Sequence, residues 1–570
     1  MLHATAGQAS AARPRRSLSG VAWGIAIAVL VVLIVWPIGK LVAVSFQDSD
    51  GVATLGNYAR AFGAERFRVA AWNSLVLASS VGILSVLVAA PMAWATARTN
   101  MPGRRLIGLL AIGSLVTPGF LTAIAWIFLA GPNAGLINVA FRALTGSDQP
   151  LFNIFSMPGM VFVTLLECFP FAYLIISAAL KNVAAELEDA ASMLGAGRWH
   201  TMRRITLPLV MPAIISGFIL SFLEALALFS SPSMIGVPAR IYVLTTQIWA
   251  LFQFPPELGV AAALALPMLL TTLVLLVLQK TVLGRRSHVT VTGKSTAPRQ
   301  VQLGWLRWPI FGFCLLVVLA SIVMTYVMLF GYAITKNWSA GLHLDNLTLE
   351  NFRFVLFGVD ATRKALFNSL LLATLAATLA VALGGIVAYI SERRLVRGAR
   401  ALGFLAMAPM VIPSIVFAVG LFAAYTTPPM VLYGTLSILL IAYMTKFLPL
   451  AYMNASTAVQ AIGPELEEAA RIAGATSLRT FGRVTLPLIR NGALAGWLLV
   501  FTFSLRELSS SILLFTNNTT VISVTVFDLY ETGAWGPLSA LGCILLLINV
   551  AVIGLGYALL KGGFLAKSHA

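Results

Sequence analysis

Apolar stretches long enough to cross a lipid bilayer recur along the whole chain. A membrane-spanning helix needs about 20 apolar residues, because the hydrocarbon core of a bilayer is about 30 Å thick. Hydrophobic residues make up 59% of the sequence and charged residues only 10%, too few charges to solvate a water-soluble globule of this length. We therefore predict an all-α polytopic membrane protein with twelve spans, at 20–46, 73–97, 105–131, 157–180, 208–232, 258–283, 308–335, 367–390, 401–424, 430–457, 486–507 and 537–562.

Basic residues concentrate in alternate loops between these stretches. The net charge of +18 is dispersed along the chain, which favours membrane topology over a nucleic-acid partner as its explanation. Loops rich in Lys and Arg stay in the cytoplasm. This rule places the N-terminus and the loops after the second and fourth spans there, and an even number of spans returns the C-terminus to the same side. The basic residues concerned are Arg13, Arg15, Arg16, Arg98, Arg104, Arg105, Lys181, Arg198, Arg203 and Arg204.

The sequence divides into two similar halves. Several residues of the first half recur 295 positions later, and others recur 279 positions later. We predict a first transmembrane domain over 1–279, a cytoplasmic linker over 280–307 and a second transmembrane domain over 308–570. Because each half has six spans, the halves share one orientation, which predicts a parallel pseudo-twofold axis along the membrane normal. The pairs at 295 are Asn73 with Asn368, Arg98 with Arg393, Gly103 with Gly398, and Pro118 with Pro413.

A short polar pattern occurs once in each half at the offset of 279. In each copy apolar residues fall on one helical face, a glycine suits the left-handed residue that ends a helix, and a proline suits the first turn of the next helix. We therefore predict helix, turn and helix over 186–208 and 465–487, with the first helix docking on a partner protein. A solvated interfacial helix is the alternative for one copy, but two copies favour docking. The residues are Glu188, Asp189, Ala190, Ala191, Gly195, Leu207 and Pro208, then Glu467, Glu468, Ala469, Ala470, Gly474, Leu486 and Pro487.

This duplicated pattern resembles the EAA loop of ABC importer permeases. The resemblance covers nearly the whole chain, and its one departure, Asp189 in place of glutamate, keeps the negative charge. It implies a fused permease domain pair in the bacterial cytoplasmic (inner) membrane. Two copies of a separate ABC ATPase would bind on the cytoplasmic side, and a periplasmic or extracellular substrate-binding protein would bind outside. The resemblance implies no cofactor on this chain, since ATP and Mg belong to the partner ATPase.

One segment of the linker imitates a nucleotide-binding motif. Thr292-Gly-Lys-Ser295 matches the end of a phosphate-binding loop, but His288 stands where the leading glycine is needed. We predict no ATP site in this chain. The five histidines are scattered along the sequence, so we also predict no catalytic residues and no metal site.

Ionisable residues inside apolar spans are further candidates for function. A charged side chain at the bilayer centre costs about 2.5–3.5 kcal/mol on insertion scales, so such residues normally pair or line a path. Glu167 and Lys446 match at the offset of 279. Two interpretations remain open: the two side chains meet at the axis between the halves, or each reaches water separately. Glu224, Arg506 and Glu507 either line the translocation path or pair within the bundle.

Two segments carry a finer resemblance that concerns the substrate. Residues 243–249 and 506–514 resemble the equivalent segments of ferric-iron importer permeases, and the fusion of two halves also fits that group. This resemblance implies Fe(III) as the transported substrate. Similar fused permeases carry 2-aminoethylphosphonate or thiamine, and unfused relatives carry polyamines, so these substrates remain alternatives. A secondary carrier that works without an ATPase would have a similar hydropathy profile but no need for paired acidic loops.

Overall fold

The protein is built from helices along the part of the chain that the structure describes. The computed structural model describes residues 18–284, 300–338 and 343–565. Within these ranges the β-type contacts are isolated bridges and no strand forms, so the all-α prediction is confirmed. The basic residues Arg13, Arg15 and Arg16 and the segment Thr292-Gly-Lys-Ser295 with His288 lie outside the described residues.

Ten of the described helices are long and apolar enough to cross a membrane without interruption. Each of them overlaps one of the predicted spans. They are Gly20–Ser45, Glu65–Arg98, Met157–Asn182, Trp199–Ala227, Leu258–Thr281, Gly304–Ala333, Asp360–Glu392, Leu436–Gln460, Phe481–Leu505 and Trp535–Gly556.

The other two predicted spans are broken in the middle. Arg104–Val116 and Gly119–Ala130 form one pair, bent by 104°, and Ala399–Met410 and Ser414–Tyr425 form the other, bent by 108°. We call these pairs the first and second broken spans. The breaks fall at the matched prolines Pro118 and Pro413, where the missing backbone N–H and the steric demand on the preceding residue both oppose a continuous helix. The described part of the chain therefore has ten continuous spanning helices and two bent pairs instead of twelve uninterrupted spanning helices.

Shorter helices connect the spans and shift two predicted boundaries. The predicted fifth span ends early, at Ala227, and the predicted eleventh ends at Leu505, so that Arg506 and Glu507 lie just beyond a helix end instead of inside it. The connecting helices include Gly56–Gly63, Leu136–Thr145, Ala185–Met193, Leu244–Ala250, Pro464–Ile472 and Ile522–Glu531.

The two halves pack against each other through a shared apolar core. Buried residues of both halves belong to one continuous hydrophobic cluster. Phe128 of the first half stacks on Tyr332 of the second with ring centroids 3.6 Å apart. A hydrogen bond also crosses this boundary: the Tyr530 hydroxyl donates to the Met234 carbonyl over 2.6 Å, which gives a partly buried polar group its partner. Arg506 of the second half also reaches across this boundary, to the carbonyls of Leu115 and Thr117.

Candidate functional site

Both duplicated loops fold in the same way. The first loop helix is Ala185–Met193 and the second loop helix is Pro464–Ile472, so their bounds differ by the offset of 279 seen in the sequence. After a turn, the next helices begin at Arg198 and Ser477, again 279 residues apart. The predicted order of helix, turn and helix is therefore confirmed in each half.

Glycine ends each loop helix. Gly195 has φ of +80° and Gly474 has φ of +82°, in the left-handed region that glycine adopts without a steric penalty. The following amides, Ala196 N–H and Ala475 N–H, donate back to the carbonyls of Ala191 and Ala470 over 2.9 and 3.0 Å. This is the hydrogen bonding of a Schellman motif, which satisfies carbonyls that would otherwise lack partners at a helix end.

Pro208 and Pro487 lie in the first turn of the α-helices Leu207–Ala227 and Leu486–Leu505, as the sequence predicts, but each of these α-helices continues a helical stretch that began earlier. Pro208 and Pro487 lie about ten residues inside helices that have already started, and each follows a π-helical segment, Met202–Thr206 or Phe481–Thr485. In the first copy the Leu207 N–H donates to the carbonyl of Met202, five residues back. The wider turn accommodates a proline that has no N–H and would otherwise clash with the preceding turn.

The second acidic residue of each loop helix, Glu188 or Glu467, is turned into the protein. Glu188 forms an ion pair with Arg98, whose side chain is almost wholly buried, and its Oε1 accepts a hydrogen bond from Thr206 Oγ1 over 2.7 Å. Arg98 Nη1 also donates to the Val183 carbonyl over 3.2 Å. Arg98 is the last residue of the helix Glu65–Arg98, so its charge also suits the negative end of the helix dipole.

The second half repeats this arrangement residue for residue. Arg393 Nε lies 3.1 Å from Glu467 Oε1, and Arg393 Nη2 donates to the Ile462 carbonyl over 2.9 Å. Thr485 Oγ1 donates to Glu467 Oε1 over 3.1 Å, and the Tyr389 hydroxyl adds a contact of 3.3 Å. Glu467 is only 5% exposed. We call the groups Arg98, Glu188, Thr206 and Arg393, Glu467, Thr485 the anchoring contacts.

The exposed side of each loop helix carries large apolar residues beside its charged ones. Met193 is 88% exposed and Leu194 is 89% exposed in the first copy, and Ile472, which matches Met193 at 279, is 89% exposed in the second. The remaining predicted residues divide between the two sides. Ala190, Glu468 and Ala469 are exposed, Asp189 and Ala470 are half-buried, and Ala191 is buried, while Leu207, Pro208, Leu486 and Pro487 are exposed on the following helices. A short helix that turns one acid into the protein and exposes large apolar groups fits the predicted docking surface.

The cations of the interior cap the carbonyls freed by the two broken spans. Arg506 Nη1 donates to the carbonyls of Leu115 and Thr117, the latter over 3.3 Å. Lys446 Nζ donates to the carbonyl of Ile412 over 3.0 Å. Thr117 and Ile412 are equivalent residues, each directly before its proline. Each break thus receives one cation where backbone carbonyls have lost their helical donors.

An anion lies at the other side of the first break. The carboxylate of Glu167 occupies the space next to Gly119 where a side chain would have to begin. Gly119 is the first residue of Gly119–Ala130, so the carboxylate faces the positive end of that helix. Ser230 and Ser231 donate to Glu167 Oε2 over 3.4 and 3.3 Å.

The structure does not bring Glu167 and Lys446 together as an ion pair. Each takes partners at its own break instead, Glu167 the two serines and Lys446 the Ile412 carbonyl. The physical reason is local. A broken helix presents unsatisfied groups within reach of each side chain, and satisfying them in a non-aqueous interior takes precedence over a contact across the axis.

The two other acids have contrasting surroundings. Glu507 is buried, and its Oε1 accepts hydrogen bonds from Ser510 N and Ser510 Oγ over 2.9 and 3.1 Å. Glu224 is half-buried and has neither a hydrogen bond nor an ion pair with any described residue, although Lys446 and Arg506 lie close enough for their charges to act on it. Across the described ranges, no three His, Cys, Asp or Glu side chains converge as metal ligands.

Sequence reasoning missed the role of Arg98, Arg393, Thr206 and Thr485. The repeat alignment matched Arg98 with Arg393, but only Arg98 was given a place, in a basic loop, and neither residue was given a partner. A signal was available. Each half has an arginine at one repeat position, Arg98 or Arg393, and a glutamate at another, Glu188 or Glu467, and such a repeated pair of opposite charges predicts the same contact in both halves. Thr206 and Thr485 also match at the offset of 279.

These features define a polytopic helical membrane protein with a duplicated helix-turn-helix loop. The chain belongs to the family described as binding-protein-dependent transport system inner membrane component, whose profile matches residues 83–288 and 380–562. The match occurs once in each half, which confirms a tandem ABC permease. It is therefore a multi-pass permease subunit of the inner membrane, of a family that works with an ATPase and a substrate-binding protein.

Two curated relatives align over most of the chain. A ferric transport system permease protein from Actinobacillus pleuropneumoniae is 28% identical over 84% of this chain and 69% of its own length. A probable ABC transporter permease protein from Sinorhizobium fredii is 26% identical over 88% of this chain and 89% of its own length. A solved bacterial ABC transporter that imports the polysaccharide alginate contains a chain 16% identical over 47% of this chain and 97% of that chain, with a TM-score of 0.40.

Proposed function

We propose that this chain is the translocation subunit of an ABC importer that carries ferric iron into the cytoplasm. The observation that carries the proposal is the pair of loop helices, which share their bounds at one offset and expose equivalent apolar residues, Met193 and Ile472. Transport energy would come from a separate ATPase, and ATP with Mg would bind there.

Each loop helix is suited to one ATPase subunit. Exposed Met193, Leu194 and Ile472 would gain about 1.5–3 kcal/mol each on full burial in a partner groove. The two loops differ in sequence but have the same fold. Because they are this similar, they fit two copies of one ATPase subunit. Both loops then lie on the cytoplasmic side, together with both termini, as the basic residues of these loops favour.

Iron is supported by the relatives and by the chemistry of the interior. One relative that aligns over most of the chain is named a ferric transport permease. Glu224 and Glu507 offer carboxylate oxygens, the hard donors that suit Fe(III). Because no three ligands converge among the described residues, these acids fit a weak and transient path better than a tight metal site. A substrate-binding protein on the outer side would select the ion and release it to this path.

Uptake in a defined strain tests both parts of the proposal. The strain lacks its other iron systems and expresses this chain with its cognate ATPase and binding protein. We expect uptake of radioactive Fe(III) that disappears when the ATPase cannot hydrolyse ATP. The matched control is the chain with Gly195→Val and Gly474→Val, which keeps every interior charge.

Three outcomes separate the alternatives. Uptake of 2-aminoethylphosphonate, thiamine or a polyamine without Fe(III) would reject iron but keep the ABC permease. Fe(III) uptake that persists with an inactive ATPase would identify a secondary carrier. No uptake of any of these solutes, with all three proteins present in the membrane fraction, would reject both parts.

A further inference from the structure

Two long helices connect the loop end of the bundle with its opposite end. Glu65–Arg98 has 34 residues and Asp360–Glu392 has 33. At 1.5 Å per residue each helix is about 50 Å long, more than the roughly 30 Å of the hydrocarbon core. Each helix therefore reaches both surfaces of the membrane.

At the loop end, the anchoring contacts tie each long helix to its loop helix. Arg98 is 1% exposed, and in the second copy the carboxylate of Glu467 is nearly as well buried. Removing one partner of a buried pair leaves the other charge without a counterion or water, which is strongly destabilising. The loop helix has nine residues, too few to be stable alone in water. Its position is therefore set by the long helix.

At the opposite end, a second duplicated set of contacts ties each long helix to a short helix. Asn73 Nδ2 donates to the Tyr242 carbonyl over 2.9 Å, and Ser74 Oγ accepts from Leu244 N over 2.8 Å. These contacts hold the start of the helix Leu244–Ala250. We call them, with their counterparts in the second half, the far-end contacts.

The second half has the same far-end contacts. Asn368 Nδ2 donates to the Thr520 carbonyl over 3.0 Å, and Ser369 Oγ accepts from Ile522 N over 2.8 Å. They hold the start of the helix Ile522–Glu531. The pairs Asn73-Ser74 and Asn368-Ser369 match at 295, as Arg98 and Arg393 do. Both ends of each long helix are thus tied by duplicated polar contacts.

We propose that the residues of the anchoring contacts and of the far-end contacts are positioning residues, which make each long helix a rigid link between its coupling loop and the opposite end of the permease. Displacement of a loop helix by the ATPase would then move Leu244–Ala250 and Ile522–Glu531 in the same step. The transmission part of this inference rests on the proposed coupling to an ATPase. The anchoring part does not.

Hydrogen exchange of the full chain tests the anchoring part without any partner. The chain is purified in lipid nanodiscs, and exchange is compared between Glu467→Gln and Glu465→Gln. Both variants remove one negative charge from the second loop helix, but Glu465 is exposed. We expect amides of Pro464–Ile472 to exchange at least about tenfold faster in Glu467→Gln, and at the wild-type rate in Glu465→Gln. Equal exchange in the two variants would overturn the anchoring contacts.

The number of substrate ions moved per ATP hydrolysed tests the transmission part. The reconstituted complex contains the cognate ATPase and binding protein. We expect Glu467→Gln and Ser369→Ala each to lower this ratio about tenfold while the ATPase stays bound. With the link broken, ATP would be hydrolysed without moving the opposite end of the permease, so fewer ions would be transported per ATP. Ser369→Ala should leave exchange of the loop helix unchanged, since the far-end contacts lie at the other end of the helix. A merely structural defect would instead lower assembly and hydrolysis together.

The double variant decides whether the two ends act through one link. If they do, Glu467→Gln with Ser369→Ala should be no worse than either single variant. Multiplied losses would overturn the link, and so would a normal ratio in both single variants. Should Glu467→Gln fail to insert, Arg393→Lys keeps the charge beside Glu467 and serves in the same comparisons. A wild-type chain that binds no ATPase would reject the proposed function, while the exchange result would still judge the anchoring contacts.

Discussion

At the scale of single residues, one backbone torsion fixes where each loop helix ends. Gly195 and Gly474 have positive φ angles, and no atom lies within 4 Å of the position of a Cβ at either site. A side chain there would meet open space, so any penalty comes from the backbone. For a residue with a side chain this left-handed conformation costs about 1–2 kcal/mol, and more for a β-branched residue.

We expect the double variant Gly195→Val with Gly474→Val to insert normally but to lose transport and to bind the ATPase more weakly. The corresponding double Asn variant should keep most transport, because asparagine tolerates the left-handed region. Membrane-fraction yield, substrate uptake and co-purification of the ATPase measure these effects. Equal losses in the Val and Asn variants would show that bulk, not backbone conformation, matters at these sites.

The two interior acids Glu224 and Glu507 should respond differently to the same substitution. Glu507→Gln removes the charge from an acceptor that holds Ser510, so we expect a loss of about 1–3 kcal/mol in stability. Glu224→Gln removes no hydrogen bond or ion pair to a described residue, so its thermal midpoint should stay at the wild-type value. If Glu224 contacts the passing ion, uptake should fall about tenfold, the effect of losing about 1.4 kcal/mol from the transition state. Thermal unfolding and initial uptake rates check both variants, and the opposite ranking in stability would contradict the assignment.

At the scale of helices, the sequence predicted where spans lie but not how two of them break. Length and hydropathy located all ten continuous helices, since a span is a local property of about 20 residues. Pro118 and Pro413 were recognised as matching residues. A proline inside an apolar stretch is compatible with a kinked helix as well as with a broken one, and the choice depends on which distant groups satisfy the freed carbonyls.

The interior contacts were less predictable than the loops for the same reason. The left-handed glycines Gly195 and Gly474, which end the loop helices, follow from local chemistry and were predicted. The partners of Glu167, Lys446 and Arg506 are backbone groups or side chains far away in the chain, up to 391 residues for Arg506 with Leu115. Sequence spacing could match Glu167 with Lys446, but it could not show that each would meet a helix end.

The first broken span provides a test of the contact between Gly119 and Glu167. We expect Gly119→Ala to fold nearly as stably as wild type, because the carboxyl group that blocks the new Cβ is the end of a flexible side chain and can move. The move would take the carboxylate away from the helix start. Transport should therefore fall as far in Gly119→Ala as in Glu167→Gln, and no further in the double variant. Ser414→Ala at the equivalent position of the second broken span is the control. Independent, multiplied losses in the double variant would contradict this account.

At the scale of the whole molecule, the duplication sets the composition of the complex. Both loops belong to one chain, so a single copy of the chain should bind two ATPase subunits. Native mass spectrometry of the purified complex should give one permease chain for two ATPases, whereas two permease chains would contradict the fused arrangement.

Gly474→Val alone should yield a species with one ATPase, because the second loop loses its helix end while the first keeps its own. Gly474→Asn is the matched control and should retain both. A complete loss of both ATPases in Gly474→Val would show that the two loops bind cooperatively and do not act as separate docking sites.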